Sequence, residues 1–397
     1  MAQTHIQVPS TRKFPSLTFL PRSLALNWAY AVADKRDLRL DLLRGLAVFA
    51  MIVNHWGGPS WLYFITGGNT FFVSAAEGFI FISGLVVGMV YGEIAIKQGL
   101  KTAQIKAFQR ALTLYKLTVV LTLLFAAVSI FGHFGWASDL QFSDLPTFIL
   151  NVITLHETMF LTDIPMIYTF LMLTAPLALW LLVKGQTKLL MLSSSGLWLA
   201  THLFPDQIHL PWRIVNSGTF DLAAWQVLFF VAMALGYHRD AVAQKLSRIP
   251  RWPYFVLSSL LLLFLVRMYL NDAAWLARLV PNLDMNVFLT DFFQKTTLAP
   301  GRLIASIIVF QFAYLAVTLL WKPIHKIFGR LLLPLGQNAL YSYTMHIAVI
   351  VMLAFIIPKF PSETTSLDWV NTGVQLAGVI AIWWMIQHKF LFRIVPR

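Results

Sequence analysis

The stretch RLDLLRGLAVFAMIVNHWGG, residues 39–58, has an apolar helical pattern that is interrupted by ionisable side chains. Arg44 and His55 are eleven residues apart, so they share one helix face and lie about 16 Å apart along its axis. Asp41 lies one turn before Arg44, and Asn54 precedes His55. A guanidinium binds phosphate or carboxylate groups, and an imidazole can act as a general base. The spacing therefore predicts one face with an acid, a cation and a titratable base.

A carboxylate lies in the next apolar segment, FFVSAAEGFIFISGLVVGMVY, which contains Glu77, Ser83 and several glycines and alanines. We expect Glu77 to lie several turns from either helix end, where a carboxylate must be paired or protonated. If Glu77 faces His55, it would raise the basicity of the imidazole and fix its tautomer. The small residues would permit close helix packing or leave room for a ligand.

Two later segments add polar groups to the predicted membrane interior. Ser342 and His346 lie in GQNALYSYTMHIAVIVML, and Asp163 and Tyr168 lie in LTDIPMIYTF. Structural roles stay open for these groups. Asp41 with Arg44 could be an ion pair, His55 an interfacial histidine, Asp163 a helix cap, and Glu77 and His346 buried hydrogen-bonding groups. The sequence contains no cysteine, no P-loop and no G-x-S-x-G motif, and no ligand spacing predicts a metal site.

The composition identifies the elements that must position these residues. Hydrophobic residues make up 58% of the chain and charged residues only 12%, about half the charge of a soluble domain. Ten apolar segments, centred near residues 48, 80, 121, 173, 195, 230, 261, 311, 347 and 379, approach the length that crosses a core of about 30 Å. We therefore predict an all-α polytopic membrane protein with about ten transmembrane helices.

Basic residues are distributed unequally between alternate connections. One set of tails and loops contains 22 lysines and arginines, and the other set contains five. This asymmetry predicts that both termini are cytoplasmic. The net charge of +13 then reports topology and contact with anionic membrane lipids, with no nucleic-acid partner. We expect an interfacial segment at 1–38, one transmembrane domain at 39–390 and a cytoplasmic tail at 391–397.

Several segments together resemble OpgC-type membrane proteins, which are named for the succinylation of osmoregulated periplasmic glucans. They are RDLRLDLLRGLAVFAMIVNHWGG, AAEGFIFISGLVVGMVYG, RALTLYK, LTDIPMIYTFLML, FDLAAWQVLFFVAMALGY and LGQNALYSYTMHI. The Arg44-x10-His55 spacing also matches a motif of the wider transmembrane acyltransferase superfamily. The resemblance covers most of the chain, from about residue 36 to about residue 355.

The resemblance implies an acyltransferase of the cell inner membrane, with no permanently bound cofactor. Acetyl-CoA or succinyl-CoA would be the cytoplasmic co-substrate, and a hydroxyl of a periplasmic glycan would be the acceptor. His55 would be catalytic with support from Glu77, through either direct transfer or an acyl-histidine. The residues expected to bind substrate or acyl-CoA are Asp41, Arg44, Asn54, Ser83, Asp163, Tyr168, Ser342 and His346. Formation of a homo-oligomer is left open.

A second class of function also fits polar groups inside a membrane. A transporter or flippase for a glycan or lipid-linked sugar would use such groups along its pathway. It would show no dependence on CoA, and it would move substrate into vesicles. A structural scaffold would leave the intramembrane ionisable cluster without a purpose.

Overall fold

A computed structural model describes residues 28–30, 36–133, 144–159, 161–216, 220–270, 278, 280, 284–356 and 368–397. These residues form helices and connecting turns, and no β-strand occurs among them. The helices are α1 (Leu38–Trp56), α2 (Tyr63–Thr66), α3 (Ala75–Gln98), α4 (Leu100–Phe131), α5 (Leu145–Ile153), α6 (Asp163–Val183), α7 (Thr187–Leu203), α8 (Leu222–Tyr237), α9 (Arg239–Leu246), α10 (Arg251–Leu270), α11 (Met285–Phe292), α12 (Pro300–Leu319), α13 (Trp321–Gln337), α14 (Ala339–Ile356) and α15 (Asp368–Gln387).

Each of the ten predicted segment centres falls inside one of these helices. In the described part of the chain, six helices are long and apolar enough to cross a membrane: α3, α4, α6, α10, α12 and α15. Helices α8 and α14 are apolar but shorter. The all-helical prediction is confirmed, and the long apolar helices identify the chain as a membrane protein.

Glycines allow the closest helix contacts. Helix α1 packs extensively against α13, and α3 packs extensively against α8. A Cβ atom at Gly336 would lie 1.7 Å from the carbonyl oxygen of Asp41, and one at Gly88 would lie 2.0 Å from that of Met233. Such backbone-to-backbone approach is typical of membrane helix pairs. These glycines therefore fix how α1 and α3, which carry the predicted site, sit against their neighbours.

The start of α3 corrects one prediction. We expected Glu77 several turns from either helix end, but α3 begins at Ala75 and Glu77 lies in its first turn. The Ser74 backbone N–H donates to the Glu77 carboxylate at 3.0 Å, and the Ser74 hydroxyl donates to it at 2.5 Å. Ser74-x-x-Glu77 is the sequence pattern of a helix start. That local pattern ends the apolar run that made the segment look like a longer helix.

A second difference concerns the connection between the segments centred near residues 311 and 347, which was counted among the basic loops. Residues 321–337 of this connection form the helix α13. Its buried residues Gly329, Leu332, Leu335 and Gly336 recur at helical spacing on one side. The segment is amphipathic and carries Lys322, Lys326 and Arg330, so a search for continuous apolar runs does not find it.

Candidate active site

Two histidines that are 291 residues apart in the sequence meet inside the helix bundle. His55 lies in the last turn of α1, and His346 lies within α14. Nδ1 of His55 is 3.0 Å from Nε2 of His346, and the two rings stack with centroids 5.2 Å apart. His346 is 1% exposed, so this contact is shielded from the surroundings. The structure thus brings together two residues that the sequence predicted separately.

The hydrogen bonds around the pair define its tautomers. Nδ1 of His346 bonds to the backbone carbonyl of Tyr343, and a carbonyl can only accept. His346 therefore carries its proton on Nδ1, and its Nε2 accepts from Nδ1–H of His55. The proton positions follow from these donor and acceptor roles. A neutral His55 then has its basic lone pair on Nε2, as a general base requires.

Glu77 forms a buried ion pair with Arg302 of α12. The Glu77 side chain is fully buried and that of Arg302 is 4% exposed. Of the two alternatives expected for Glu77, paired or protonated, the structure has the paired one. Its partners are Arg302 and Ser74, and it is His346 that contacts Nδ1 of His55. The described contacts of Glu77 therefore do not include His55. Because α3 begins two residues before Glu77, the Glu77 carboxylate bonds to the N-terminus of α3 and to Arg302 of α12.

A turn that carries Asp163 is held close to the histidine pair. The Tyr343 hydroxyl donates to the carbonyl of Leu161 at 2.7 Å, and the Tyr343 ring contacts the His346 ring with centroids 4.6 Å apart. Asp163 follows Leu161 by two residues and begins α6. Tyr343 thus links the predicted substrate-binding residue Asp163 to His346.

A second segment, which carries Lys295, is held by the buried Arg302. Arg302 donates through Nη1 to the carbonyl of Phe293 at 3.3 Å. The Lys295 ammonium interacts electrostatically with His55, Asp163 and Glu77. Burial lowers the pKa of Lys295, whereas the two carboxylates oppose this shift. Lys295 is therefore a partly buried basic group within electrostatic range of His55.

The N-terminal end of α1 is arranged differently. Asp41 forms a bidentate pair with Arg36, with N–O distances of 2.6 and 2.8 Å, so the ion pair of Asp41 with Arg44 is not formed. The Nε atom of Arg44 is buried and has no hydrogen-bond partner in the described part of the chain. Tyr168 lies within electrostatic range of Arg44. Arg44 is thus a partly buried cation with an unused donor.

Three of the predicted binding residues make their described contacts to groups other than the histidine pair. The Asn54 amide accepts from the Thr66 hydroxyl at 2.6 Å and ties α1 to α2. The Ser342 hydroxyl donates to the Leu335 carbonyl at 3.2 Å and ties α14 to α13. Ser83 is buried in α3, about 120° around the helix from Glu77. Their described contacts are structural.

Arg302, Lys295 and Tyr343 belong to the site but were not singled out from the sequence. A sequence signal existed for the two cations, because they are among only five basic residues in the second set of connections. Nothing local distinguished Tyr343 from the other tyrosines. In the residues that the structure describes, no group of three or more His, Asp or Glu side chains could hold a metal ion.

The described residues thus form an all-helical membrane protein with a buried, hydrogen-bonded histidine pair, and polar groups buried in a membrane protein often mark a functional site. Residues 36–392 match the family described as OpgC protein, nearly the whole chain, and the chain belongs to this family. No curated protein and no solved structure matches it. Family membership and the long apolar helices together fit a membrane acyltransferase in general.

Proposed function

We propose that this protein is an O-acyltransferase of the inner membrane. It transfers an acetyl or succinyl group from cytoplasmic acyl-CoA to a glucan hydroxyl on the periplasmic side. The observation that carries the proposal is the hydrogen bond between His55 and His346, with His346 oriented by the Tyr343 carbonyl. This arrangement leaves His55 Nε2 as the basic atom, as acyl transfer to a hydroxyl requires.

In direct transfer, Nε2 of His55 takes the proton of the acceptor hydroxyl as its oxygen attacks the thioester carbonyl carbon. The bond from that carbon to sulfur breaks, and the CoA thiolate leaves and takes the proton from the imidazolium. Nδ1–H of His55 continues to donate to His346 throughout. His346 and Tyr343 therefore orient the base without touching the reacting atoms.

The second route forms a covalent intermediate. Nε2 of His55 attacks the thioester carbon and expels the CoA thiolate, which forms an acyl-imidazolium. The acceptor oxygen then takes the acyl group from Nε2, and the hydroxyl proton goes to the CoA thiolate. Both routes use the same lone pair. Incubation with acyl-CoA in the absence of acceptor separates them, because only the covalent route leaves an acylated His55 peptide in a mass spectrum.

The donor would lie along α1. Arg44 would contact phosphate groups of CoA, with Tyr168 beside it and Asp41 neutralised by Arg36. Arg44 and His55 are separated along the helix by about 16 Å. The extended arm of the donor would span this distance. The proposal also includes ten transmembrane helices, cytoplasmic termini, one transmembrane domain at 39–390, surrounding lipids and, as an open point, a homo-oligomer.

The decisive experiment uses purified full-length protein in nanodiscs. It is incubated with acetyl-CoA or succinyl-CoA, with and without glucan oligosaccharides, and free CoA and acylated glycans are measured by mass spectrometry. We expect acceptor-dependent CoA release and acylated product, which are lost in His55→Ala and lowered in Glu77→Gln. His388→Ala is the matched control, because His388 lies just beyond α15 and is exposed.

Two results would overturn the proposal. One is the absence of acyl-CoA binding together with uptake of a glycan into proteoliposomes, which would establish a transporter. The other is full turnover by a folded His55→Ala protein.

The absence of cysteine makes the topology directly testable. Gly185→Cys and Asp206→Cys place single thiols in the turns at the two ends of α7. Labelling of intact cells by an impermeant maleimide should modify position 206 and spare position 185. The reverse pattern would contradict cytoplasmic termini.

A further inference from the structure

Asp163 and Lys295 lie on two separate tethered segments, and Lys295 interacts electrostatically with both Asp163 and His55. Tyr343 holds the Asp163 turn through the Leu161 carbonyl, and the Tyr343 ring also packs against the His346 ring. The segment of Lys295 is held at the Lys295 carbonyl itself, which accepts from the indole N–H of Trp225 at 3.1 Å. The first bond therefore ties the Asp163 turn to the histidine pair, and the second ties Lys295 to α8.

The two side chains are charged and partly buried, but they do not pair with each other. Asp163 accepts from the backbone N–H of Ile164 at 3.0 Å, and the Lys295 ammonium lies 5.1 Å from the ring centroid of Phe220. Among the residues that the structure describes, no ion pair within 4.0 Å joins Asp163 to Lys295. Partly buried charges of this kind are costly unless a polar group satisfies them.

The chemistry of the two groups restricts what can lie between them. A phosphate or carboxylate would be repelled by Asp163, and a cation would be repelled by Lys295. A hydroxyl donates one hydrogen bond and accepts others, so it can satisfy a carboxylate and an ammonium together. Adjacent hydroxyls on a sugar ring offer such groups at fixed spacing, and His55 is the base with which Lys295 also interacts.

We infer that Asp163 and Lys295 form an acceptor subsite that binds a sugar hydroxyl next to the one that reacts at His55. This inference rests on the proposed acyltransferase function and names the part of the site that selects a carbohydrate acceptor. Asp163 accepts from the neighbouring hydroxyl, and Lys295 donates to it. Water at the same place is displaced when the sugar binds.

The test removes one hydrogen-bonding group at a time, either a side-chain group of the protein or a hydroxyl of the sugar. Acyl transfer is measured with a glucoside acceptor and with its monodeoxy analogues, using wild type, Asp163→Asn and Lys295→Met. A hydrogen bond to a charged group contributes enough that we expect each variant to raise the acceptor KM about 10-fold or more. The deoxy analogue that lacks the neighbouring hydroxyl should be a poor acceptor for wild type, but it should lose little further in the variants.

Controls separate this effect from damage to the fold. Asp206→Asn and Arg213→Gln remove exposed charges from the connection between α7 and α8 and should leave the acceptor KM unchanged. The donor KM should be unchanged in all variants. Lys295→Arg keeps the charge and should recover part of the acceptor affinity, so the test does not depend on Asp163→Asn folding.

The outcomes are distinct. Without acyl transfer by wild type, the proposed function itself fails. Transfer by wild type with an unchanged acceptor KM in both variants overturns only the subsite. A third result, in which the variants lower thermal stability and the deoxy penalties stay the same as in wild type, would show that Asp163 and Lys295 only balance each other's charge.

Discussion

The polar groups at the C-terminal end of α1 are paired differently from those at its N-terminal end. At the C-terminal end, His55 bonds to His346 and His346 bonds to the Tyr343 carbonyl. At the N-terminal end, Arg36 reaches Asp41 with a side chain that is 57% exposed, and Arg44 keeps a buried Nε without a partner in the described part of the chain. At the C-terminal end the two histidines hydrogen-bond to each other, and at the N-terminal end the Arg44 Nε bonds to no described residue.

The histidine pair is therefore held in one arrangement, whereas Arg44 keeps a donor that the proposed acyl-CoA would satisfy. Hydrogen bonds in a buried polar network hold its members in one geometry. That suits a base, whose lone pair must point at one place. An unsatisfied buried cation carries an energetic cost that an anionic ligand can remove. Four substitutions at these two ends would test the contrast.

The buried pair of Glu77 and Arg302 should be the most sensitive point near the C-terminal end of α1. Glu77→Ala leaves Arg302 buried without its counter-charge, and we expect a loss of about 3–5 kcal/mol in the free energy of unfolding. Unfolding in mixed micelles measures this loss. The double variant Glu77→Met with Arg302→Met should recover most of it, and a loss in the double variant that equals the sum of the two single losses would refute a coupled pair.

Replacing His346 tests whether the network orients the base. His346→Leu removes the acceptor for Nδ1–H of His55, and we expect kcat to fall about 100-fold. His346→Gln can accept from His55 and donate to the Tyr343 carbonyl, so it should retain most of the rate at unchanged thermal stability. Equal losses in the two variants would show that His346 does more than position His55.

Arg44 tests the unused donor at the other end. Arg44→Gln should raise the donor KM about 10-fold, because one charge-assisted hydrogen bond to the donor is lost, and the acceptor KM should not change. Lys326→Gln removes an exposed charge from α13 and is the control. A rise in the acceptor KM without a rise in the donor KM would contradict the prediction that Arg44 binds the donor.

Arg36 should show the smallest effect. Because its side chain is 57% exposed, solvent screens the pair with Asp41, and Arg36→Gln should cost about 1 kcal/mol of stability or less. Asp41 is then free to pair with Arg44, so the donor KM should rise slightly. A large loss of stability would show that the pair is coupled to the packing of α13 against Asp41.

The sequence was most informative where spacing along one helix decides the geometry. The shared face of Arg44 and His55 follows from α1 alone, and the ten helical segments follow from apolar runs. The contact of His55 with His346 could not be foreseen, because it depends on how α14 packs against α1. The position of Glu77 within α3 was predicted wrongly because the helix start at Ser74 lies inside an apolar run. Its partner could not be predicted because Arg302 is distant in sequence.

The pairing of Glu77 with Arg302 has a consequence for synthesis of the chain. The two residues are 225 positions apart, and ribosomes add about 5–20 residues per second. Glu77 therefore emerges roughly 10–45 seconds before Arg302 at that rate. During that interval Glu77 lacks the counter-charge that it has in the folded protein. The ionic link between α3 and α12 can therefore form only after α12 has been synthesised.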